Sequence, residues 1–150
     1  MYRFALFLAS ASLLIGTASS QVAPVIAWQM ALGGTSSEEA HALIQTTDGG
    51  FAIAGTTQSD DGDVLGFQGV SDFWIVKLDV DGVLQWQRTF GGSFWDMAFA
   101  IVQSSDGGYV AAGRTESDDG DVSGNHGGYD IWVVKLDAAG DLQWQRTPPK

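Results

Sequence analysis

Two acidic loops hold the residues of this sequence that are best suited to chemistry. Both read Ser-Asp-Asp-Gly-Asp-Val, at residues 59–64 and 117–122. Three carboxylates within four residues, with a glycine among them, form the oxygen-rich ligand set that Ca²⁺ prefers. The order matches neither the EF-hand nor the Gly-Gly-x-Gly-x-Asp repeat, and aspartates in turns also cap backbone amides. We interpret the loops as turns and keep as the alternative a calcium site formed by Asp60, Asp61, Asp63, Asp118, Asp119 and Asp121.

No group of residues in the sequence predicts catalysis. The chain has no cysteine and two histidines, and no Ser-His-Asp arrangement has a recognisable motif around it. Acidic loops alone are weak evidence for glycoside hydrolysis, because that chemistry needs two carboxyl groups at a set separation across a sugar. We therefore predict no catalytic residues.

An internal repeat supplies the elements that position these loops. Residues 28–85 align with residues 86–143 without a gap, and 30 of the 58 positions are identical. A third unit begins at Trp144 and departs from the pattern at Pro148 and Pro149. Repetition at a fixed period is typical of stacked architectures, in which each unit buries its apolar surface against its neighbours.

Each unit predicts four short β-strands. Between the first two lies Asp-Gly-Gly, a strong hairpin signal because aspartate and glycine tolerate positive φ. Helical periodicity is absent after residue 20. In the first unit the predicted strands are Ala40–Gln45, Phe51–Thr57, Asp72–Asp79 and Val83–Phe90.

The third strand determines the predicted architecture. Trp74, Val76 and Leu78 alternate with Phe73 and Ile75, so both faces of the strand are mostly apolar. A strand that is apolar on both faces needs a packed layer on each side. Four-stranded antiparallel sheets stacked as the blades of a β-propeller provide such layers. A parallel β-helix is the alternative.

Three motifs of the second unit carry a family resemblance. They are Trp-Gln-Arg-Thr-Phe-Gly-Gly at 86–92, Asp-Gly-Gly-Tyr at 106–109 and Asp-Ile-Trp-Val-Val-Lys-Leu-Asp at 130–137. Together they resemble the secreted β-propeller repeats of Bacteroidetes and related bacteria. The resemblance extends from about Trp28 to the end of the chain and implies an all-β propeller fold. Such proteins usually contain many units, whereas this chain has two complete ones.

Counting strands divides residues 21–150 into two blades. We expect blade one at about 38–90, blade two at about 96–147, and Val25–Leu32 as a surplus leading strand. Two blades cannot close a ring, since propellers typically have about 4 to 8 blades. Open apolar faces at both ends favour head-to-tail self-association of about two to four chains. The competing hypothesis is a fragment of a larger propeller.

The aromatic residues and histidines divide into packing and surface positions. Five tryptophans recur at matching positions of the repeat and are predicted to pack between blades: Trp28, Trp74, Trp86, Trp132 and Trp144. Trp95 has no counterpart, because Ser37 is the equivalent residue, and is therefore a candidate ligand contact. His41 aligns with Phe99 and is predicted in the core or at a blade interface, and His126 is predicted in a solvated turn.

Residues 1–20 predict a secretory signal peptide. Arg3 precedes an apolar run, Phe4–Ile15, and small residues follow up to Ser20. The run is too short to span a bilayer, so we expect an exported protein, periplasmic or extracellular, that is not inserted in the membrane after cleavage. Cleavage leaves 6 basic and 18 acidic residues, a net charge of −12. This charge disfavours nucleic acid as a partner.

The predicted function is binding. We expect an exported propeller-type scaffold that binds protein or glycan through loops at one end of the blades. A hydrolase or lyase that uses the acidic residues of an assembled propeller is the enzymatic alternative, and a fragment without independent function is the third possibility.

Overall fold

The chain forms eight β-strands. The computed structural model describes Ala23 and residues 25–149, so the predicted signal peptide, residues 1–20, lies outside the described residues. No helix occurs in this described part, and so none could cross a membrane. The strands are β1 (Glu38–Gln45), β2 (Phe51–Thr57), β3 (Asp72–Leu78), β4 (Leu84–Phe90), β5 (Asp96–Gln103), β6 (Tyr109–Thr115), β7 (Asp130–Leu136) and β8 (Leu142–Arg146).

Two four-stranded antiparallel sheets contain all eight strands. Their orders are β1-β2-β3-β4 and β5-β6-β7-β8, so each sheet is one unit of the repeat. Both sheets have register shifts at matching places, between Ala40 and Ala42 and between Ala98 and Ala100. The predicted four-stranded antiparallel sheets, one per repeat unit, are confirmed, and the antiparallel pairing rules out the parallel β-helix.

A buried lysine fastens the first hairpin of each sheet. Gly49 has a φ of 84° in the Asp-Gly-Gly turn, a conformation that glycine adopts without strain. Lys77 reaches the turn from β3, and its Nζ lies 2.9 Å from Asp48 Oδ2. A Cβ on Gly50 would lie 2.3 Å from the carbonyl oxygen of Leu78 and 2.7 Å from Lys77 Nζ. The second glycine therefore leaves room for the lysine.

The two sheets share one hydrophobic core. Phe73 and Ile75 point from β3 toward the second sheet, while Trp132 and Val134 point from β7 toward the first. The rings of Phe73 and Trp132 meet edge to face, with centroids 4.6 Å apart. Strand β5 packs against β1, β2 and β3. The predicted stacking of one unit on the next is confirmed.

The predicted leading strand, Val25–Leu32, is not a β-strand. It lies instead over the outer face of the first sheet, where Leu32 packs against a cluster that contains Trp74 and Val76. The physical reason is that a strand needs a neighbour for its backbone hydrogen bonds, and no strand among the described residues pairs with this segment.

Replacing Phe73 with alanine tests the shared core. Phe73 is fully buried, so Phe73→Ala leaves a cavity and should lower the free energy of unfolding by about 3–5 kcal/mol. Leu65→Ala is the control, because Leu65 is 71% exposed and should change this free energy by less than about 0.5 kcal/mol. Urea denaturation measures both. Equal effects of the two substitutions would contradict a core shared between the sheets.

Candidate functional site

The first acidic loop caps the Gly-Gly turn that precedes its own sheet. The amide of Gly33 donates to Asp63 Oδ2 at 3.1 Å, and the amide of Thr35 donates to Asp61 Oδ1 at 2.7 Å. In return, the amide of Asp63 donates to the carbonyl oxygen of Gly33 at 3.0 Å. Ser59 completes the set by accepting from the amide of Ser36 at 2.9 Å. The loop therefore fixes the chain where it enters the first strand.

The second acidic loop repeats these contacts between the two sheets. The amide of Ser93 donates to Asp119 Oδ1 at 2.7 Å, and the amide of Gly91 donates to Asp121 Oδ2 at 3.3 Å. The Ser93 amide lowers the pKa of the Asp119 carboxyl, whereas burial raises the pKa of Asp121. The turn between β4 and β5 is thus held by the loop that connects β6 to β7.

The remaining loop aspartates do not join a ligand cluster. Asp118 Oδ1 accepts from the amides of Gly124 and Asn125, and Asp60 is exposed. Within residues 25–149, no group of three or more His, Cys, Asp or Glu side chains is arranged to hold a metal ion. Backbone amides donate to five of the six predicted calcium ligands, Asp61, Asp63, Asp118, Asp119 and Asp121. The calcium site stays a prediction.

Two buried carboxyl groups lie at the junction between the sheets, and sequence reasoning missed them. Asp72 and Asp96 are both fully buried. A Cβ on Gly91 would lie 2.4 Å from Asp72 Oδ1 and 2.8 Å from Asp96 Oδ2, so the two groups converge on this glycine. The available signal was the acid at both positions in each copy, with Glu38 and Asp130 as the counterparts.

The Asp72 carboxyl is incompletely hydrogen-bonded. Its Oδ2 accepts from the amide of Gln68 at 2.7 Å, but its Oδ1 has no hydrogen-bond partner among the described residues. Burial, together with the nearby charges of Asp96 and Asp121, raises the pKa of Asp72 to about 8. The group is therefore protonated at neutral pH.

The outer face of blade one, residues 38–90, is partly covered by the leading segment. Trp28 stacks on Phe51 with ring centroids 5.7 Å apart, and it lies over Gly82. A groove of about 340 Å³ remains between the segment and the sheet. Its lining is mostly apolar and includes Met30, Leu43, Ile53 and Trp74.

The outer face of blade two, residues 96–147, has no such cover. Ile131 is 64% exposed, although its counterpart Phe73 is fully buried in the shared core. Val102 and Trp144 are also exposed on this sheet. Trp86, the counterpart of Trp144, packs on Tyr109 of the next sheet. Trp86 and Trp132 therefore lie between the blades as predicted. Within a single chain the prediction is wrong for the other three, because Trp144 is exposed and Trp28 and Trp74 lie on the outer face of blade one.

The long loops lie together at one end of both sheets. Trp95 is half-buried there and forms a bridge with Ser71 of the preceding blade. Its neighbour Phe94 is 53% exposed, and the guanidinium of Arg114 lies 4.2 Å from the ring centre of exposed Tyr129. Exposed aromatics beside carboxylates form a surface suited to protein or glycan contact.

The two histidines have structural partners. His41 lies between the blades, as predicted: its ring stacks on Phe99, and its Nδ1 donates to the carbonyl oxygen of Ala98 at 2.6 Å. His126 lies in the β6–β7 loop, is exposed, and contacts Asp130 through its amide and its ring.

No protein-family model matches the sequence, and no curated protein is similar to it.

Calcium titration distinguishes caps from metal ligands. If the carboxylates are caps, Asp61→Ala combined with Asp119→Ala should lower the melting temperature with or without calcium, because two backbone amides lose their acceptors. The wild-type melting temperature should not respond to millimolar calcium. A calcium-dependent rise that is absent from the double variant would establish the metal site instead.

Titration of Asp72 should make the protein less stable as pH rises. The folded carboxyl has a pKa of about 8 against an ordinary value of 3.8, so between these values the folded chain holds more protons than the unfolded chain. The free energy of unfolding should then fall by roughly 1 kcal/mol per pH unit over this range.

Asp72→Asn should flatten this dependence, since the amide carries no charge at any pH. Urea unfolding at pH 5 and pH 8 measures the slope, and Asp60→Asn, at an exposed loop position, serves as the control. A slope that is unchanged in Asp72→Asn would show that another group is responsible.

Proposed function

We propose that this chain is an exported propeller-type scaffold that binds protein or glycan and reaches its working form by head-to-tail assembly. One observation carries the proposal: the outer face of blade two lacks the partner that the repeat provides for the same positions of blade one. We therefore expect the outer face of blade two to pack on blade one of a second copy, in the way that the two sheets of one chain pack on each other.

The residues on the uncovered sheet faces favour packing against another copy over contact with solvent. Ile131, Val133 and Trp144 take the places that Phe73, Ile75 and Trp86, in that order, occupy in the shared core. Exposed apolar surface of this kind commonly marks an interaction site. On the opposite side of the molecule, blade one offers an apolar face of the type that blade two presents to the junction.

The number of chains in the proposed ring follows from the number of blades in each chain. Because each chain contributes two blades, about two to four chains supply the 4 to 8 blades of a typical propeller. The contact is heterologous, with one face of a chain against the other face of the next, and it ends in a ring when the rotation closes.

The loop end is the proposed ligand surface. The acidic loops, Phe94 and Tyr129 lie at this end of both blades, and assembly would bring several copies of it together. Multiple copies of a weak site raise the overall affinity through effective concentration. The signal peptide predicted for residues 1–20 supports an exported location, where such surfaces meet glycans and other proteins.

Light scattering on the purified mature chain tests the assembly. We expect a mass of about two to four chains, and we expect Ile131→Glu to return the protein to a monomer, because a buried unpaired carboxylate is costly. Leu65→Glu, at an exposed loop position, should leave the mass unchanged. A stable, monodisperse wild-type monomer would contradict the proposal.

A further inference from the structure

The last part of the leading segment, Trp28–Leu32, makes the same packing contacts on blade one that β4 makes on blade two. Trp86 of β4 packs on Tyr109 at 5.6 Å and over Gly140, and Trp28 packs on Phe51 at 5.7 Å and over Gly82. These partners are 58 residues apart, at equivalent positions of the repeat. The segment therefore lies on blade one as β4 lies on blade two.

Strand β4 also pairs with a neighbouring strand, and the leading segment does not do so among the described residues. In β4, residues 86–90 also pair with β3, from Lys77↔Trp86 to Phe73↔Phe90. The backbone of Trp28–Leu32 makes no hydrogen bond within the part of the chain that the structure describes. Among the described residues, the segment therefore packs on a sheet face but pairs with no strand.

Strand β7, in contrast, is paired with its outer neighbour over only part of its length. Its outer neighbour β8 has five residues against seven in β4, and the ladder ends at Val133↔Arg146. In β3 the counterparts of Ile131 and Trp132 pair with Phe90 and Thr89, whereas within the described part of the chain Ile131 and Trp132 pair with no residue of β8. Pro148 stands where β4 has Phe90, and proline cannot donate to a ladder.

We propose that Trp28–Leu32 of one copy replaces β8 as the outer strand of blade two in another copy. This inference rests on the proposed assembly and names the segment that completes it. By the register of β3 and β4, Trp28 would pair with Lys135, Met30 with Val133, and Leu32 with Ile131. The exchanged strand pairs with residues 131–135 of β7 and keeps its contacts with its own blade one.

Side-chain chemistry favours this arrangement over simple docking of β8. At the junction within the chain, Arg88 pairs with Asp141 at 3.1 Å. At the equivalent places on blade one, Met30 and Val83 are both apolar. If β8 docked in place of the segment, Arg146 would occupy the position of Met30 and meet Val83. The exchange leaves the matched apolar pair in place.

Gln29 provides a second match. The indole Nε1 of Trp74 donates to Gln87 Oε1, and that of Trp132 donates to Gln145 Oε1, both at 2.9 Å. Gln29 is the equivalent glutamine of the leading segment and is exposed in the single chain. In the exchanged strand it would take the place of Gln145 and accept from Trp132.

Engineered disulfides test the exchange in the full mature chain. The protein has no cysteine, so Met30→Cys with Val133→Cys introduces its only thiols. The two positions lie on opposite outer faces of one chain, so a disulfide between them must join two copies. Val133→Cys with Arg146→Cys is the matched control, because these positions pair within one chain when β8 stays in place.

We expect the first pair to form an intermolecular 30–133 disulfide in most chains, identified by peptide mass mapping. The control pair should remain largely reduced in the assembled protein. If light scattering shows the assembly but the 133–146 bond closes and the 30–133 bond does not, strand exchange is wrong and the proposed assembly stands. A monomer would overturn both.

Proline substitution provides a second measurement. Met30→Pro and Ala31→Pro remove amides that are not hydrogen-bonded in the single chain, so the unfolding midpoint of the dilute protein should not change. One of the two amides would be a ladder donor after exchange, and that variant should assemble at least about tenfold more weakly. Gln145→Pro, which disrupts β8 instead, should not weaken assembly. Loss of assembly only in Gln145→Pro would contradict the exchange.

Discussion

A β-sheet that is apolar on both faces must be covered on both faces, and this constraint shapes the whole molecule. Between the two sheets the requirement is met, since Phe73 and Trp132 meet in a core without exposed surface. On the outer sides it is met unequally. Blade one is partly covered by the leading segment, whereas blade two leaves Ile131 and Trp144 exposed. Apolar sheet faces stabilise the junction between the blades, and for the same reason the uncovered face of blade two favours binding to another copy.

Polar contacts decide how one blade follows another. Each Gly-Gly turn is held by carboxylates of a loop that lies about 30 residues further along the chain, so the direction of the chain between blades is fixed by hydrogen bonds rather than by the core. The second turn also lies against two buried carboxyl groups, Asp72 and Asp96. This arrangement makes the junction both specific and sensitive to protonation.

The sequence predicts each strand well and its partners less well. Alternation and the Asp-Gly-Gly turns place all eight strands within a few residues, because these signals are local. Trp28 has the same local pattern as Trp86, yet only Trp86 lies in a strand, since pairing depends on a neighbour that side-chain pattern does not specify. The sequence favoured turns over calcium for the loop of Asp61, but the backbone amides near residue 35 that this carboxylate caps approach it only in the fold. The burial of Asp72 was not predicted, because it depends on the contact between the two sheets.

Hydrogen–deuterium exchange at several protein concentrations tests most directly whether the outer surfaces are covered by other copies. The amides of residues 28–32 are unbonded in the single chain and should exchange quickly in dilute solution. At high concentration these amides, and those at the start of β7 near Ile131, should become protected together, while residues 142–146 lose protection. Exchange in these segments that stays the same at every concentration would contradict the account.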